Sequence, residues 1–491
     1  MPAKSLKIAL VSSEMYPLAK TGGLADVIGA LSKTLADMGH DIKVFLPNYK
    51  AVQLRGQQNV SAIEPALIPV GSKRQKIRVR TTHVSGNKAE VVLIDYPEYF
   101  DRGELYKDKN TGFDYADNDE RFILFSRGVL EVIKALNFSC DVIHANEWQA
   151  ALTCAYLKNS YKDDPFFAKT GTVFSIHNLA YQGVFPSQSF QKLGLPEELF
   201  HPYSPFEFHG KLNFLKAGIV FSDVVSTVSE TYAVEIQSSA EYGYGLEGVL
   251  RERNDDLYGI VNGVDYRQWS PEDDSLIPAR YDSNKLNLKE ENKKSLYREC
   301  GFANDRLKWP AVGIISRLVD QKGLDLLSEI TKELFSKDLT LVVLGTGDSK
   351  YESLLRELEQ KHTGRVKAFV TFDEKLAHLI EAGCDIFLMP SKYEPCGLNQ
   401  LYSLKYGTVP VARATGGLVD TIQDYNGGNG TGFLFKGYNS LEFLQAIERA
   451  LEVYQDKKRW QKLQQNGMKQ DFSWEKAAEK YVELYNLARK T

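Results

Sequence analysis

Short apolar and β-branched runs alternate with helix-like patterns along the chain, and each run ends just before a glycine-rich or polar loop. In the first half, the strands predicted from these runs lie at 7–13, 41–47, 141–146, 172–178 and 223–229. Between the first two, Val27, Leu31 and Leu35 recur at helical spacing. A strand, a helix and a second strand in this order form a right-handed parallel unit, so the first half predicts a doubly wound sheet.

A second series of the same kind begins after about residue 255. Its predicted strands lie at 311–317, 339–348, 366–372, 385–391 and 408–413. The segment between the two series contains an Asn-Gly turn, two prolines and an acidic cluster, a composition typical of a linker between domains. The predicted fold is therefore α/β, with two Rossmann-like domains facing a cleft. We predict domains at 1–258 and 259–472, and a terminal helix at 473–491.

Charge and cysteine usage exclude several classes of protein. The 60 basic and 64 acidic residues give a net charge of −4, which offers no electrostatic footprint for nucleic acid or an anionic membrane. The five cysteines lack CxxC spacing and the eight histidines lack metal-ligand spacing, so we predict no disulfide framework, no cofactor and no required metal. No targeting or membrane-spanning run is visible, which favours the cytoplasm; a plastid protein whose transit peptide was removed stays open. No obligate protein partner is evident.

Two glycine-rich loops follow predicted strands, one in each half. Lys20 to Gly23 precede a helix beginning near Asp26, and Thr415-Gly416-Gly417 repeat the arrangement in the second half. Glycines let backbone N–H groups approach an anion, and the helix dipole and the lysine charge add to the attraction. Each loop alone could equally be a structural turn. Together they suggest one anionic ligand shared by the two domains in the cleft.

Charged and polar residues follow other predicted strands. Arg317 and Lys322 could bind a diphosphate together, although ordinary solvated charges are the alternative. Glu394 could hold sugar hydroxyls or face positive charge at a reacting carbon, or be only an acid at a helix N-terminus. His177 ends a strand next to a polar run that includes Tyr181, where a substrate would bind, but a lone histidine is often structural.

Seven ordered motifs carry a resemblance to a known family. They are KTGGLADV, HNLAYQG, GYGLEGVL, NGVD, SRLVDQKGLDL, EPCGLNQLYSLKYGTVPV and TGGLVDTI. The chain resembles bacterial glycogen synthases and plant starch synthases from residue 7 to about residue 435. The resemblance implies a GT-B glycosyltransferase with an N-terminal glucan domain, a C-terminal nucleotide-sugar domain and a final helix that returns to the first. The implied reaction moves glucose, usually from ADP-glucose, to the non-reducing 4-OH of an α-1,4-glucan with retention.

The resemblance also assigns roles to individual residues. It implies that Arg317 and Lys322 bind the pyrophosphate, that Glu394 is the essential carboxylate, and that His177 contacts the transferred sugar. Further donor contacts that it implies are Lys20, Gly22, Gly23, Asp26 and Tyr393. From the repeated glycine loop we also predict donor contacts at Thr415, Gly416 and Gly417. We predict Glu147 and Tyr181 as acceptor contacts, because both lie where a predicted strand ends.

Two departures from the pattern bear on the substrates. Tyr402 stands where many other retaining transferases of this fold carry a second glutamate, which argues against the animal and fungal UDP-glucose enzymes. Glu147 and Gln149 stand where many members of the family have Asp and His, which leaves the acceptor geometry least defined. A transferase that uses UDP-glucose or another acceptor, and a catalytically silent glucan-binding paralogue, are the remaining alternatives.

Overall fold

The computed structural model describes residues 5–53, 59–60 and 66–490 and divides them into two compact units. The N-terminal unit contains the described residues up to Val228, Ala233–Ile260 and the C-terminal residues from Trp474. The C-terminal unit contains Ser229–Tyr232 and Val261–Ser473. The acceptor and donor roles that the resemblance gives to the two domains stay predictions.

The N-terminal unit is built on one large sheet and a small antiparallel one. Its strands are β1 (Lys7–Val11), β2 (Asp41–Pro47), β3 (Asn59–Val60), β4 (Ala66–Val70), β5 (Lys73–His83), β6 (Glu90–Asp95), β7 (Val142–Asn146), β8 (Gly171–Ile176), β9 (Val184–Phe185), β10 (Glu207–Phe208), β11 (Lys211–Asn213), β12 (Val224–Thr227) and β13 (Leu257–Gly259). The large sheet has the order β13-β12-β8-β7-β1-β2-β6-β5-β3, with β4 on β5. The strands from β13 to β6 are parallel. The predicted doubly wound sheet is thus confirmed.

Helices precede and follow the strands of this sheet along the chain, and several of them pack against it. They are α1 (Gly23–Asp37), α2 (Lys50–Gln53), α3 (Pro97–Phe100), α4 (Asn118–Ala135), α5 (Glu147–Lys158), α6 (Phe214–Phe221), α7 (Glu230–Ser238), α8 (Ala240–Gly243) and α9 (Glu247–Glu252). Every residue of β7 and β8 is buried, as expected for parallel strands covered on both faces. The antiparallel edge of β3, β4 and β5 was not predicted, because β3 has two residues, β4 contains a proline and β5 is strongly charged.

The C-terminal unit has a single parallel sheet in the order β16-β15-β14-β17-β18-β19. Its strands are β14 (Ala311–Ile315), β15 (Thr340–Leu344), β16 (Val366–Phe369), β17 (Ile386–Met389), β18 (Val409–Arg413) and β19 (Phe433–Phe435). Its helices are α10 (Lys289–Cys300), α11 (Leu324–Glu329), α12 (Thr331–Leu334), α13 (Ser349–Lys361), α14 (Glu374–Gly383), α15 (Asn399–Lys405), α16 (Gly417–Thr421), α17 (Ser440–Gln455) and α18 (Lys457–Met468). In order of sequence the strands run 3-2-1-4-5-6, the Rossmann order. The second predicted sheet is confirmed.

The last helix, α19 (Trp474–Ala488), packs within the N-terminal unit. Its buried face includes Tyr481 and Tyr485, whose rings lie against His144 of β7. The Tyr485 hydroxyl is 2.9 Å from His144 Nδ1, and the backbone of Ala488 lies so close to Gly171 that a Cβ there would come within 2.0 Å of the Ala488 carbonyl oxygen. The expected return of the final helix to the first domain is therefore confirmed. None of the helices formed by the described residues is both long and apolar enough to cross a bilayer.

Candidate active site

The strand order of the C-terminal unit reverses direction between β14 and β17, which are neighbours. Ligands of open α/β sheets bind beyond the carboxyl ends of strands at such a point. Arg317 follows β14, and Tyr393 and Glu394 follow β17. The structure therefore places three of the predicted site residues in loops that leave the same edge of the sheet.

Lys322 and Glu394 form a largely buried ion pair. The Lys322 ammonium is 2.6 Å from Glu394 Oε2, and their side chains are 17% and 7% exposed. Ser391 donates a hydrogen bond of 3.0 Å to the same oxygen. Lys322 ends a single 3-10 turn, Asp320–Lys322, and the following Gly323 has φ +70 and lies against the Pro390 backbone. The two loops are therefore packed together, and the carboxylate is held with its charge compensated.

Arg317 and Tyr393 have different surroundings from this pair. Arg317 is exposed, and within the described residues its guanidinium makes no hydrogen bond or ion pair. Tyr393 is half-buried, and its carbonyl accepts a hydrogen bond of 3.1 Å from the Gln321 side chain. The Lys392 N–H also donates to the Gln321 carbonyl, at 2.8 Å. Gln321, which the sequence analysis did not single out, thus joins the loops that carry Arg317 and Glu394.

The second glycine loop packs against the backbone next to Glu394. Gly416 has φ +46, and a Cβ there would lie 2.0 Å from the Glu394 carbonyl oxygen. The Gly417 N–H donates to the carbonyls of Glu394 and Pro395, at 3.1 and 3.2 Å. Thr415 is fully buried. In this arrangement the glycines permit a close backbone approach, and the Gly417 N–H already has acceptors; contact of the loop with an anion stays a prediction.

The first glycine loop is held by a carboxylate that sequence reasoning missed. Glu14 is 4% exposed, and its Oε2 accepts hydrogen bonds from the N–H groups of Thr21 and Gly22, at 2.6 and 3.2 Å. Its Oε1 accepts from the Tyr106 hydroxyl at 2.8 Å. An anion bound at these two N–H groups would compete with Glu14. The only signal for this role in the sequence is a polar residue shortly after a buried strand.

Lys20 and Asp26 form an ion pair beside this loop. The Lys20 ammonium is 2.7 Å from Asp26 Oδ1, and both side chains are about one third exposed, at 37% and 32%. Asp26 lies in the first turn of α1, which begins at Gly23, so its charge complements the helix dipole. The structure thus brings the four residues predicted for this loop together.

His177 lies where β8 ends and is held by its neighbour strand β7. Its Nε2 is 3.0 Å from Oδ1 of Asn146, the last residue of β7. Burial lowers the pKa of His177 to about 4, so the ring is neutral at pH 7. Asn146 was not singled out by the sequence analysis.

Glu147 begins α5 and supports the same loop. It is 6% exposed and has φ +62, which is unusual for a residue other than glycine. Its Oε1 accepts hydrogen bonds from the N–H groups of His177 and Asn178, at 2.6 and 2.9 Å, while burial raises the pKa of its carboxyl to about 8. Glu147 therefore faces the protein backbone, whereas Tyr181, the other residue predicted for the acceptor, is 52% exposed.

The described residues contain no group of three or more His, Cys, Asp or Glu side chains that could hold a metal ion. All five cysteines are free and buried. The chemistry available near the two sets of loops is therefore that of cations, carboxylates, an imidazole and backbone amides.

Two protein families match the chain in consecutive parts. Residues 7–252 match the family described as "Starch synthase catalytic domain", and residues 304–470 match "Glycosyl transferases group 1". The two matches correspond to most of each compact unit. The resemblance read from the motifs is thereby confirmed.

Full-length relatives are similar along the whole chain. A glycogen synthase of Koribacter versatilis is 46% identical over 489 residues, which cover 99% of this chain and 98% of that protein. A glycogen synthase of Thermotoga maritima is 43% identical over 490 residues, covering 98% and 99%. The catalytic domain of starch synthase IV from Arabidopsis thaliana, solved with ADP and acarbose, superposes with a TM-score of 0.90 at 31% identity and 99% coverage of both chains.

Proposed function

This chain belongs to the family of bacterial glycogen synthases and starch synthases, and we propose that it transfers glucose from ADP-glucose to the non-reducing end of an α-1,4-glucan with retention of configuration. The observation that carries the proposal is the buried Lys322–Glu394 pair at the ligand-binding edge of the C-terminal sheet. A cation and a carboxylate of the kind that the proposed reaction needs are thus held together at this edge.

The C-terminal unit would act on the leaving group. Breaking the glycosidic bond leaves a nucleoside diphosphate, and its developing negative charge is stabilised by cations close to the phosphate oxygens. Arg317 is exposed at this edge and can offer its planar fork of donors, while Lys322 adds a point charge. We propose that these two residues stabilise the diphosphate as it leaves.

Glu394 would act on the sugar. A carboxylate near the reacting carbon stabilises the positive charge that develops there or accepts hydrogen bonds from sugar hydroxyls. Retention requires the acceptor hydroxyl to approach from the face that the phosphate leaves. The alternative, a double displacement, needs a nucleophile on the opposite face, and no residue has been identified for that role. We therefore propose front-face transfer.

The choice of ADP-glucose rests on the starch synthase IV structure, which was solved with ADP and acarbose. Tyr402, at the position where UDP-glucose enzymes of this fold carry a glutamate, supports the same choice. For the N-terminal unit, we propose that His177 contacts the transferred glucose, and that Lys20 and Gly22 approach the donor. Acceptor binding by Tyr181 is part of the same proposal.

Initial rates of glucose incorporation into glycogen test the proposal, measured with ADP-glucose and UDP-glucose in parallel, with and without EDTA. We expect strong turnover with ADP-glucose that EDTA does not reduce, and much weaker turnover with UDP-glucose. Glu394→Gln provides the matched inactive control, because it keeps the shape of the side chain and removes the charge.

Each other result would change a different part of the proposal. Preferential use of UDP-glucose would overturn the donor assignment but leave glucan synthesis in place. Loss of turnover in EDTA would overturn metal independence. No turnover with either donor, from folded protein that still binds glycogen, would favour the silent glucan-binding paralogue.

A further inference from the structure

The hydrogen bonds of Asn146 fix the orientation of its side-chain amide. Its Nδ2 lies 3.2 Å from the carbonyl oxygen of His144 and 3.4 Å from that of Val11. Both neighbours are acceptors only, so the NH₂ group must face them. The opposite orientation would place the amide oxygen against two carbonyl oxygens. Oδ1 is therefore the atom that faces His177.

This orientation determines which nitrogen of His177 carries the proton. Asn146 Oδ1 is 3.0 Å from His177 Nε2 and can only accept a hydrogen bond, so Nε2 must donate. Because the ring is neutral at pH 7, it carries one N–H, and Nδ1 is left with a lone pair. Among the described residues, none is hydrogen-bonded to Nδ1.

The backbone of His177 is fixed as well as its ring. Glu147 Oε1 accepts from the His177 N–H at 2.6 Å and from the Asn178 N–H at 2.9 Å. Asn146 and Glu147 are consecutive residues where β7 meets α5, and Asn146 is fully buried. One short segment therefore holds both the main chain and the imidazole of His177.

We propose that Asn146 is a positioning residue that locks His177 in the Nε2–H tautomer, so that Nδ1 accepts a hydrogen bond from a hydroxyl of the transferred sugar. The inference rests on the proposed function only for the identity of that ligand. It defines the contact as one in which the substrate is the donor, so a substrate group that cannot donate a hydrogen bond is disfavoured at this point.

The tautomer can be measured without any substrate. Full-length protein is labelled with ¹⁵N in its histidine rings, and long-range ¹H–¹⁵N spectra at pH 7 distinguish a protonated ring nitrogen from an unprotonated one. Only eight histidines are present, and His177→Gln identifies the signals of His177. Asn146→Ala and the smaller change Asn146→Ser are compared with Ser175→Ala. Ser175 is a matched control because its hydroxyl bonds His144 in the same sheet, at 2.6 Å.

In the unchanged protein we expect Nε2 protonated and Nδ1 unprotonated. In both Asn146 variants we expect a mixture of tautomers and a fall in kcat/KM of about tenfold, whereas Ser175→Ala keeps the His177 pattern. A proton on Nδ1 in the unchanged protein, or an unaltered His177 pattern in folded Asn146 variants, would overturn the inference. If the tautomer is as expected but no glucose is transferred, the proposed function fails and the role of Asn146 stands.

Discussion

Lys322 Nζ and Glu394 Oε2 lie 2.6 Å apart, and the carboxylate of this pair is the more deeply buried partner. Removing the lysine leaves a buried carboxylate whose remaining side-chain donor, among the residues that the structure describes, is Ser391. An uncompensated buried charge destabilises a protein by about 3–5 kcal/mol, whereas an exposed ion pair contributes about 0–1 kcal/mol. Charge at this position therefore affects stability, and under the proposed function it affects catalysis as well.

If the proposed function is correct, Lys322→Ala and Glu394→Ala should each reduce glucose transfer at least about 100-fold, because each would remove an electrostatic contact with the reacting groups. Initial rates with ADP-glucose measure the loss. Thermal melting separates the two effects, since Lys322→Ala should also lower the melting temperature. Lys367→Ala is the control, because it removes a partly exposed pair with Glu359, at 2.7 Å in the same unit. Full turnover by either site variant would contradict the assignment.

Gly22→Ala should leave stability unchanged and impair donor binding. A Cβ at Gly22 meets no described atom within 4 Å, and φ is −155, which an alanine adopts without strain. If the donor approaches this loop closely, the added methyl group should raise the KM for ADP-glucose several-fold while the melting temperature stays the same. Gly103→Ala is the matched control, since its Cβ also meets no described atom within 4 Å. Equal KM values for the two variants would show that the donor does not approach Gly22.

Glu381→Gln should stabilise the protein at alkaline pH. Burial raises the pKa of the Glu381 carboxyl from 4.5 to about 8; its Oε2 accepts from Ser403, and its Oε1 has no partner among the described residues. A raised pKa contributes stability that is present below pH 4.5 and is lost as the pH rises through about 8. Glutamine does not ionise, so the variant avoids this loss.

Melting temperatures at pH 5 and pH 8.5 test this prediction. We expect the difference between Glu381→Gln and the unchanged protein to move in favour of the variant by about 3 °C or more between these pH values. The nearby Lys289 ammonium donates to the Glu381 and Ala382 carbonyls and interacts with the Glu381 charge, so the comparison reports the titration of these two coupled groups. Glu329→Gln, at an exposed position, serves as the control. An equal shift of the melting temperature in this variant would contradict the interpretation that the Glu381 carboxyl is buried and neutral.

Tyr485→Phe should lower the free energy of unfolding of the N-terminal unit by about 1–3 kcal/mol. The substitution leaves His144 Nδ1 without its partner at 2.9 Å, in a site with no exposure to water. Chemical denaturation, followed by circular dichroism in the far ultraviolet, measures the change in the free energy of unfolding. Tyr203→Phe, which alters a side chain that is 95% exposed, should have no effect.

Most strands of the parallel sheets were predictable from sequence because they are runs of largely buried apolar residues. The strands β6, β13 and β19 were not among the predicted runs. The run at 41–47 coincides with β2, and the run at 408–413 contains β18. The antiparallel edge was not predictable in this way. Of its strands, β5 alternates basic residues with a few buried ones, and its pairing is determined by contacts with β6 rather than by its own composition.

For the site, the sequence identified residues by type and by position after a strand, and the structure adds the partners of each. Asn146 could not be recognised, because its partner His177 follows another strand. Glu14 could not be recognised either, because it depends on Tyr106, 92 residues away, and on the way the first glycine loop folds back onto it. Glu147 was predicted as an acceptor contact, and this stays a prediction; the structure adds that its carboxyl accepts a hydrogen bond from the His177 N–H. Local pattern carries no information about such long-range partners.

The position of α19 affects how the polypeptide is made. Residues from Trp474 complete the core of the N-terminal unit, whereas Val261–Ser473 form the bulk of the other. During synthesis the second unit is therefore fully translated before the last helix of the first unit is made. His144 cannot form its hydrogen bond to Tyr485 until the end of the chain has left the ribosome. A chain that ended just before Trp474 would contain one complete unit, but the other unit would lack the helix that completes its core. The uncovered core would be accessible to proteases and prone to aggregation.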